Sequence, residues 1–450
     1  MVKNKQALTP EEKAKKKMKR KQNRRKFFKI LLYIILLFAL ISSIVRAVGL
    51  KSNMNRVKSF DPVSKPTDVK FTHCGNGVWN IETNHDLKVL QLSDVHIGGG
   101  YSSFKKDSMA LNAVATMVKE ENPDFVVVTG DISFPVPFWA GTCNNKTAPK
   151  LFAELMETLN VYWTLCYGNH DTEAYSYFDR KDITDFYSQE CYPHCLMEAG
   201  PESVDGYGNQ VFNILTPDGN NIRSFIVLDS HAYTDGDYLG AQWKYDNIHD
   251  NQINWYENTV KELNKKNEEK GFGPVPTSVF FHIPMKEYSD AWNEYKDNGY
   301  KDTENVKYHY GKCGEGYILD PNSLHKDNKT LNRIETHTMA MVHHPIHDDQ
   351  MFETMSKLGS TDSVFVGHDH LNNFSVNYKG IDLIYAMSID YIAYQHISIH
   401  KLGSQRGCKV IDVGLDGKIK THNENYYQEK YKPKYEKESV KMQELTQVEK

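Results

Sequence analysis

With 450 residues, 40% of them hydrophobic, the chain can bury the core of one large domain or two modest ones. Its net charge of −4 conceals an asymmetry: residues 1–30 carry 13 Lys+Arg against 2 Asp+Glu, leaving 41 against 56 in the rest. That acidic remainder repels phosphodiester backbones and argues against nucleic-acid binding. The 7 cysteines show neither metal-site spacing nor a dense disulfide framework.

The basic segment 1–29 runs straight into "ILLYIILLFALISSIV", Ile30 to Val45, without a charge. Arg46 interrupts, and "AVGL" extends the apolar stretch to residue 50. About 20 residues span a bilayer, and roughly 17 suffice when flanking charges snorkel. Residues 30–50 are therefore expected to form a transmembrane signal anchor. Basic residues on its N-terminal side predict a cytosolic N-terminus meeting anionic lipid. The rest would be lumenal or extracellular, a single-pass type II arrangement in the secretory pathway or at the cell surface. Two readings compete: a cleaved signal peptide of a secreted protein, with Val45 and Ala47 at peptidase spacing, and a buried soluble helix. Sequons at Asn145, Asn328 and Asn373 are glycosylation candidates. An odd cysteine count leaves at least one thiol over, and Cys166, inside "VYWTLCYG", is the candidate.

Residues 51–84, with Pro62 and Pro66, read as a linker and lead-in. From 85 to 423 strands and helices alternate. "LKVLQLS", "DFVVVTG", "VYWTLCYG", "SFIVLDS", "TSVFFHIP" and "SVFVGHD" are short β-branched and aromatic runs ending in Gly, Ser or Pro. "SMALNAVATMVKEE", "APKLFAELMETLN" and "NQINWYENTVKELNKK" repeat apolar residues at helical spacing. The alternation predicts an α/β domain of layered sheets and outer helices. A polar stretch at about 288–339 reads as a surface insertion, and the charged tail 424–450 as disordered.

Polar residues gather where these strands end, which is where α/β sheets place their sites. "LQLSDVH" delivers Asp94 and His96, "VVVTGD" Asp131, and "LCYGNHD" Asn169, His170 and Asp171. "VFFHIP" delivers His282 and "VFVGHDH" His368 and His370. In an extended backbone residues at i and i+2 face the same side, so the last two histidines would point together. Any one of these residues could be a turn former, a cap or a satisfied core histidine. Five strand ends carrying oxygen and nitrogen ligands in one order suggest metal chemistry instead.

The ordered set "DVH", "GD", "GNHD", "FFHIP" and "GHDH" resembles the pattern of the calcineurin-like metallophosphoesterases over about residues 85–400. The context of these motifs is nearest the plant and fungal purple-acid-phosphatase-like branch. The resemblance implies a two-sheet β sandwich flanked by helices and a dimetal phosphoric ester hydrolase. It assigns Asp94, His96 and His370 to one metal and Asn169, His282 and His368 to a second, with Asp131 bridging. The ions would lie about 3.5–4 Å apart with a nucleophilic hydroxide between them. It places His170 over the substrate as catalytic acid, with Asp171 the suspected orienting carboxylate. Imidazoles with hard carboxylates suit Mn, Fe or Zn.

Two departures matter. Purple acid phosphatases carry Gly where this chain has His96 and Tyr where it has Phe134, so no purple iron–tyrosinate centre is expected. The lone histidine is ambiguous, since "MAMVHHPIHDD" offers His343, His344 and His347 as alternatives; His282 is preferred because "TSVFFHIP" is the better strand end, which leaves His343 and His344 as pocket-rim or loop residues. The expected activity is phosphomonoester hydrolysis. Phosphodiester cleavage of lipid head groups or nucleotides by the same centre is the alternative, and a metal-free binding protein the third reading. The sequence is silent on oligomeric state.

Overall fold

The computed structural model describes residues 9–64, 68–189, 191–234, 244–313, 342–345, 347–393, 406–426 and 430–431. The chain enters through one 48-residue helix, α1 (Pro10–Val57), opened by a capping box between Thr9 and Glu12. Two sheets follow. The larger has nine strands in the order β1 (Lys70–Gly75), β2 (Val78–Glu82), β6 (Gln210–Leu215), β7 (Asn221–Val227), β8 (Thr277–Phe280), β10 (Thr361–Val366), β12 (Ile381–Tyr385), β11 (Ser375–Tyr378) and β9 (Val306–Tyr310). The smaller has five: β14 (Ile419–Asn425), β13 (Gly407–Val413), β3 (Leu87–Leu92), β4 (Phe125–Thr129) and β5 (Tyr162–Cys166). The centre of each is parallel: β7, β8, β10 and β12 in one, β3, β4 and β5 in the other.

Alternation along the strands decides the layers. Val89, Phe125 and Val127 of the small sheet and Phe212, Phe225, Phe280 and Phe365 of the large one fill a single cluster between the sheets. Phe280 and Phe365 stack there with ring centroids 4.6 Å apart and an 8° tilt. The other face of the small sheet, through Leu90, Leu92, Val126 and Val128, packs on α2 (Phe104–Glu121) and α4 (Thr147–Leu159). The other face of the large sheet, through Val279, Val364 and Val366, packs on α6 (Asp250–Glu269) and α7 (Lys286–Asp297). Helix, sheet, sheet, helix is the resulting order, as the alternation of elements predicts.

Three boundaries differ from the sequence reading. The domain does not begin at 85: the end of α1 packs on it, with Val57 fully buried, and β1 and β2 are paired strands of the large sheet. They escape notice because the edge strand β1 is mostly exposed and lacks an apolar period. Residues 288–310 are no surface insertion, since Tyr288, Trp292 and Tyr295 on α7 are buried and β9 closes one edge of the sheet. Residues 314–341 lie outside the described residues. The tail's first residues also belong to the fold, with Tyr426 and Tyr431 buried against the core. No disulfide joins the 7 cysteines, and Cys166 is buried.

If residues 51–85 are structural, a chain begun at residue 86 should be less stable than one begun at residue 46. Loss of buried Val57 and Ile81 alone costs about 3 kcal/mol. Urea midpoints test this, and equal midpoints would return the segment to a linker.

Candidate metal centre

Five parallel strands end at one place, the crevice at the carboxyl edge of both sheets. β3 hands over to Asp94 and His96, β4 to Asp131, β5 to Asn169 and His170, β8 to His282, and β10 to His368 and His370. The loops interlock through their backbones. Asp94 N–H donates to Gly130 O (3.1 Å), His96 N–H to Asp131 O (3.0 Å), and Gly367 N–H to His282 O (3.1 Å). Such tight turns force φ to +51° at Asp94, +52° at His96, +55° at Asp131 and +77° at His368. Positive φ costs a non-glycine residue about 1–3 kcal/mol, and strain of this kind collects at functional sites. Gly130 and Gly168 permit the approach: a Cβ on Gly130 would lie 2.4 Å from His282 Nδ1, and one on Gly168 2.1 Å from Asp131 Oδ1.

Asp131 is the hub. Its Oδ2 lies 3.2 Å from His96 Nε2 and 3.3 Å from His282 Nε2. Its Oδ1 accepts from His170 N–H at 2.8 Å. On one side, donor atoms of Asp94, His96 and His370 lie within 4.8 Å of one another. On the other, so do those of Asp94, Asp131 and His282, with Asn169 Oδ1 3.2 Å from His282 Nε2. His368 faces His282, ring centroids 5.1 Å apart. Strand β10 stops at Val366, so the two histidines of "GHDH" are not on an extended backbone. The turn at His368, not a period of two, sends them to opposite sides of the cluster.

The donor chemistry fits cations. His282 commits Nδ1–H to Thr129 O at 2.8 Å, which leaves Nε2 against Asp131 Oδ2 and Asn169 Oδ1. Asn169 spends its amide N–H on Tyr233 at 2.9 Å, so its oxygen is the atom presented. A neutral imidazole would set a lone pair against two oxygens there, and only a proton or a metal ion resolves that. Buried Asp94 Oδ1 faces His370 Nε2 at 3.4 Å. Two buried carboxylates among buried imidazoles demand positive charge.

Ionisation follows the same logic. Burial would raise the Asp131 carboxyl, but the charges of His282 and His170 hold it well below the usual carboxylate range. Burial likewise disfavours the His282 cation, yet Asp131 and Asp94 push it up to about 9. Burial and the neighbouring His282 and His343 bring His368 down to about 3, a neutral ring suited to ligation. Metal ions would take the place of the protons that the carboxylates otherwise draw onto the imidazoles.

Three functional side chains were not legible from motif spacing. Asp390 pairs with His96 Nδ1 (3.2 Å) and His370 Nδ1 (3.4 Å), orienting both rings. It follows β12 in "MSID", with no local signature. Glu173 takes His170 Nδ1 at 2.6 Å. The orienting role suspected for Asp171 is therefore reassigned: its carboxylate accepts from the backbone N–H groups of Asp131, Ser133 and Gly168 and braces the loops. Tyr233 completes the set. His343 binds Asp369 at 2.6 Å and His344 Nδ1 its own neighbour Pro345 O, so neither enters the cluster as His282 does. Phe134 stacks on His96 at 4.6 Å and brings no phenolate. Two sequons are corrected: Asn145 is fully buried with its amide bound to Asp171 O and Phe178 O, and Asn373 is fully buried beneath Lys312. Asn328 lies outside the described residues.

The sequence matches the calcineurin-like phosphoesterase family over residues 87–311, half of the chain, and the protein belongs to that family. Among curated relatives, probable inactive purple acid phosphatase 29 of Arabidopsis thaliana is 26% identical, over 75% of this chain and 79% of its own. Probable inactive purple acid phosphatase 14 of the same plant is 25% identical, over 74% and 77%. Among solved structures, a dimetal phosphatase from Danio rerio matches with a TM-score of 0.40 at 11% identity, over 76% of this chain and 97% of that one.

If Asp390 orients two ligands, Asp390→Asn should weaken metal binding by about 10–100-fold. Competition against a chelator measures it, and an unchanged affinity would remove Asp390 from the support of the site.

Proposed function

We propose that the protein is a dimetal phosphoric ester hydrolase, acting first on phosphomonoesters. The observation that carries the reading is the complete donor set around Asp131, whose one oxygen faces an imidazole of each half of the site at 3.2 and 3.3 Å. Asp94, His96 and His370 would hold one ion and Asn169, His282 and His368 the other, with Asp131 shared. Mn, Fe or Zn suits these donors. When bound, such a pair supplies Lewis acidity, activating water and neutralising phosphoryl charge.

The chain's own residues do the rest. Glu173 fixes the His170 ring with Nδ1 engaged, leaving Nε2 for substrate, and the ring is partly exposed beside the cluster. A protonated His170 can give its Nε2 proton to the leaving oxygen. The relatives are named inactive. This chain nonetheless keeps every donor of the pattern, which supports a working centre.

The same reading extends to the architecture. Residues 30–50 anchor the chain, 1–29 lie in the cytosol, and a domain running from the end of α1, at about residue 51, to about residue 431 stands on the lumenal or extracellular side. The anchor rests on the uncharged apolar run Ile30 to Val45 in the middle of α1, whose large side chains are exposed.

The test uses the full chain in detergent, analysed for metal and assayed on an aryl phosphate and a bis-aryl phosphate. About two metals per chain and faster monoester turnover are expected. Asp131→Asn should lose both metal and activity. His170→Ala should keep its metal and lose about 10²–10⁴ in kcat. No metal and no hydrolysis after supply of Mn, Fe or Zn would overturn the assignment in favour of a binding protein.

A further inference from the structure

The helix that is apolar enough to span a bilayer is also a packing element of the domain. Its uncharged run, Ile30 to Val45, measures about 24 Å at 1.5 Å per residue, short of the roughly 30 Å hydrocarbon core. Contact with the domain nevertheless begins inside that run. The Phe38 ring meets Tyr101 edge to face at 5.8 Å. Arg46 donates to Gly99 O at 3.2 Å and to Thr147 Oγ1 at 2.9 Å. Gly49 lies so close that a Cβ there would come within 2.7 Å of Phe104 Cβ, and Asn53 donates to Phe104 O at 3.0 Å. There is no tether between span and domain.

The geometry therefore fixes a depth. Phe38 lies about two helical turns below Arg46, so Tyr101 is at bilayer level whenever the apolar run is buried in lipid. Beside it stands the loop that follows β4. The Tyr101 ring covers Gly141, where a Cβ would come within 2.5 Å of Cε1. Ser102 donates through N–H to Ala140 O (3.2 Å) and through Oγ to Trp139 O (2.6 Å). Phe138, on the short helix α3 (Pro137–Ala140), is 93% exposed. Tyr, Trp and Phe in such a cluster suit the interfacial belt of a bilayer.

These two loops also build the centre. The first carries Asp94 and His96, the second Asp131. Phe134 of the second loop lies 4.6 Å from His96, 4.8 Å from His170 and 6.5 Å from Trp139, ring to ring. One aromatic layer thus separates the catalytic face from the surface that the helix holds against lipid.

We infer that the loops 98–103 and 134–141 are a membrane-seated rim, and that the centre takes phosphate esters borne by lipid head groups at the bilayer surface. The second part rests on the phosphoesterase reading; the first does not. The full chain is reconstituted into phosphatidylcholine vesicles, with or without bromine on the acyl chains near the head group. Phe138→Trp is compared with Leu415→Trp, whose turn lies at the far end of the small sheet because Val413 pairs with Leu87. Bromolipid should quench the added emission at 138 and leave that at 415 unchanged. No quenching at 138, or equal quenching at both, would overturn the rim.

A second arm measures phosphate release from phosphatidic acid in the same vesicles and from a soluble aryl phosphate. Phe138→Glu should slow the lipid reaction about tenfold, the worth of one inserted aromatic, and leave the soluble one unchanged. Equal lipid turnover by variant and wild type would overturn the substrate class. Inactivity on both esters with 138 quenched would overturn the phosphoesterase reading and leave the rim standing.

Discussion

The structure depends on keeping one carboxylate, Asp131, in charged form beneath the surface. Its two oxygens meet imidazoles from β3 and β8 and a backbone N–H from the loop after β5, and its own N–H is held by Asp171. A buried carboxylate is tolerated only with matching positive charge and full hydrogen bonding. Satisfying it requires the ends of four strands from two sheets to arrive within a few ångströms of one point. The positive φ at Asp94, His96 and Asp131 follows from that convergence. So does the glycine before each close approach.

The sandwich makes the convergence possible. β3, β4 and β5 lie parallel in one sheet and β8 and β10 in the other, so all five present their carboxyl ends to the same edge. Phe280 and Phe365, paired neighbours on β8 and β10 of the large sheet, fill the layer between the two sheets with Phe125 and Val127 of the small one. Asp390 and Glu173 then hold the rings that the strands deliver, Asp390 those of His96 and His370 and Glu173 that of His170 beside them.

Strands buried on both faces read clearly in the sequence, and so did the polar residues that end them, because five such endings fall in one order although each alone has an ordinary use. Edge strands did not: β1 is largely exposed and β14 alternates irregularly, so neither shows a period to follow. Glu173 was overlooked because Asp171 is adjacent to His170, yet the turn directs Asp171 back onto the loop amides. Asp390 comes from a sixth strand end, related to its histidines only through the register of β12. The sequons failed for a simple reason. Asn145 and Asn373 use their amides to tie loops together in the interior, which no tripeptide reveals.

α1 joins this chemistry to its setting. Because the same helix carries the apolar run and buries Val57 in the domain, a bilayer that took up that run would meet the centre in an orientation set by one continuous helix. The most direct test of the central claim is anomalous diffraction from crystals of the full chain purified with its native metal. The account predicts two anomalous peaks about 3.5–4 Å apart with Asp131 between them. An ordered cluster with no peak, its carboxylates paired instead with protonated imidazoles, would contradict it.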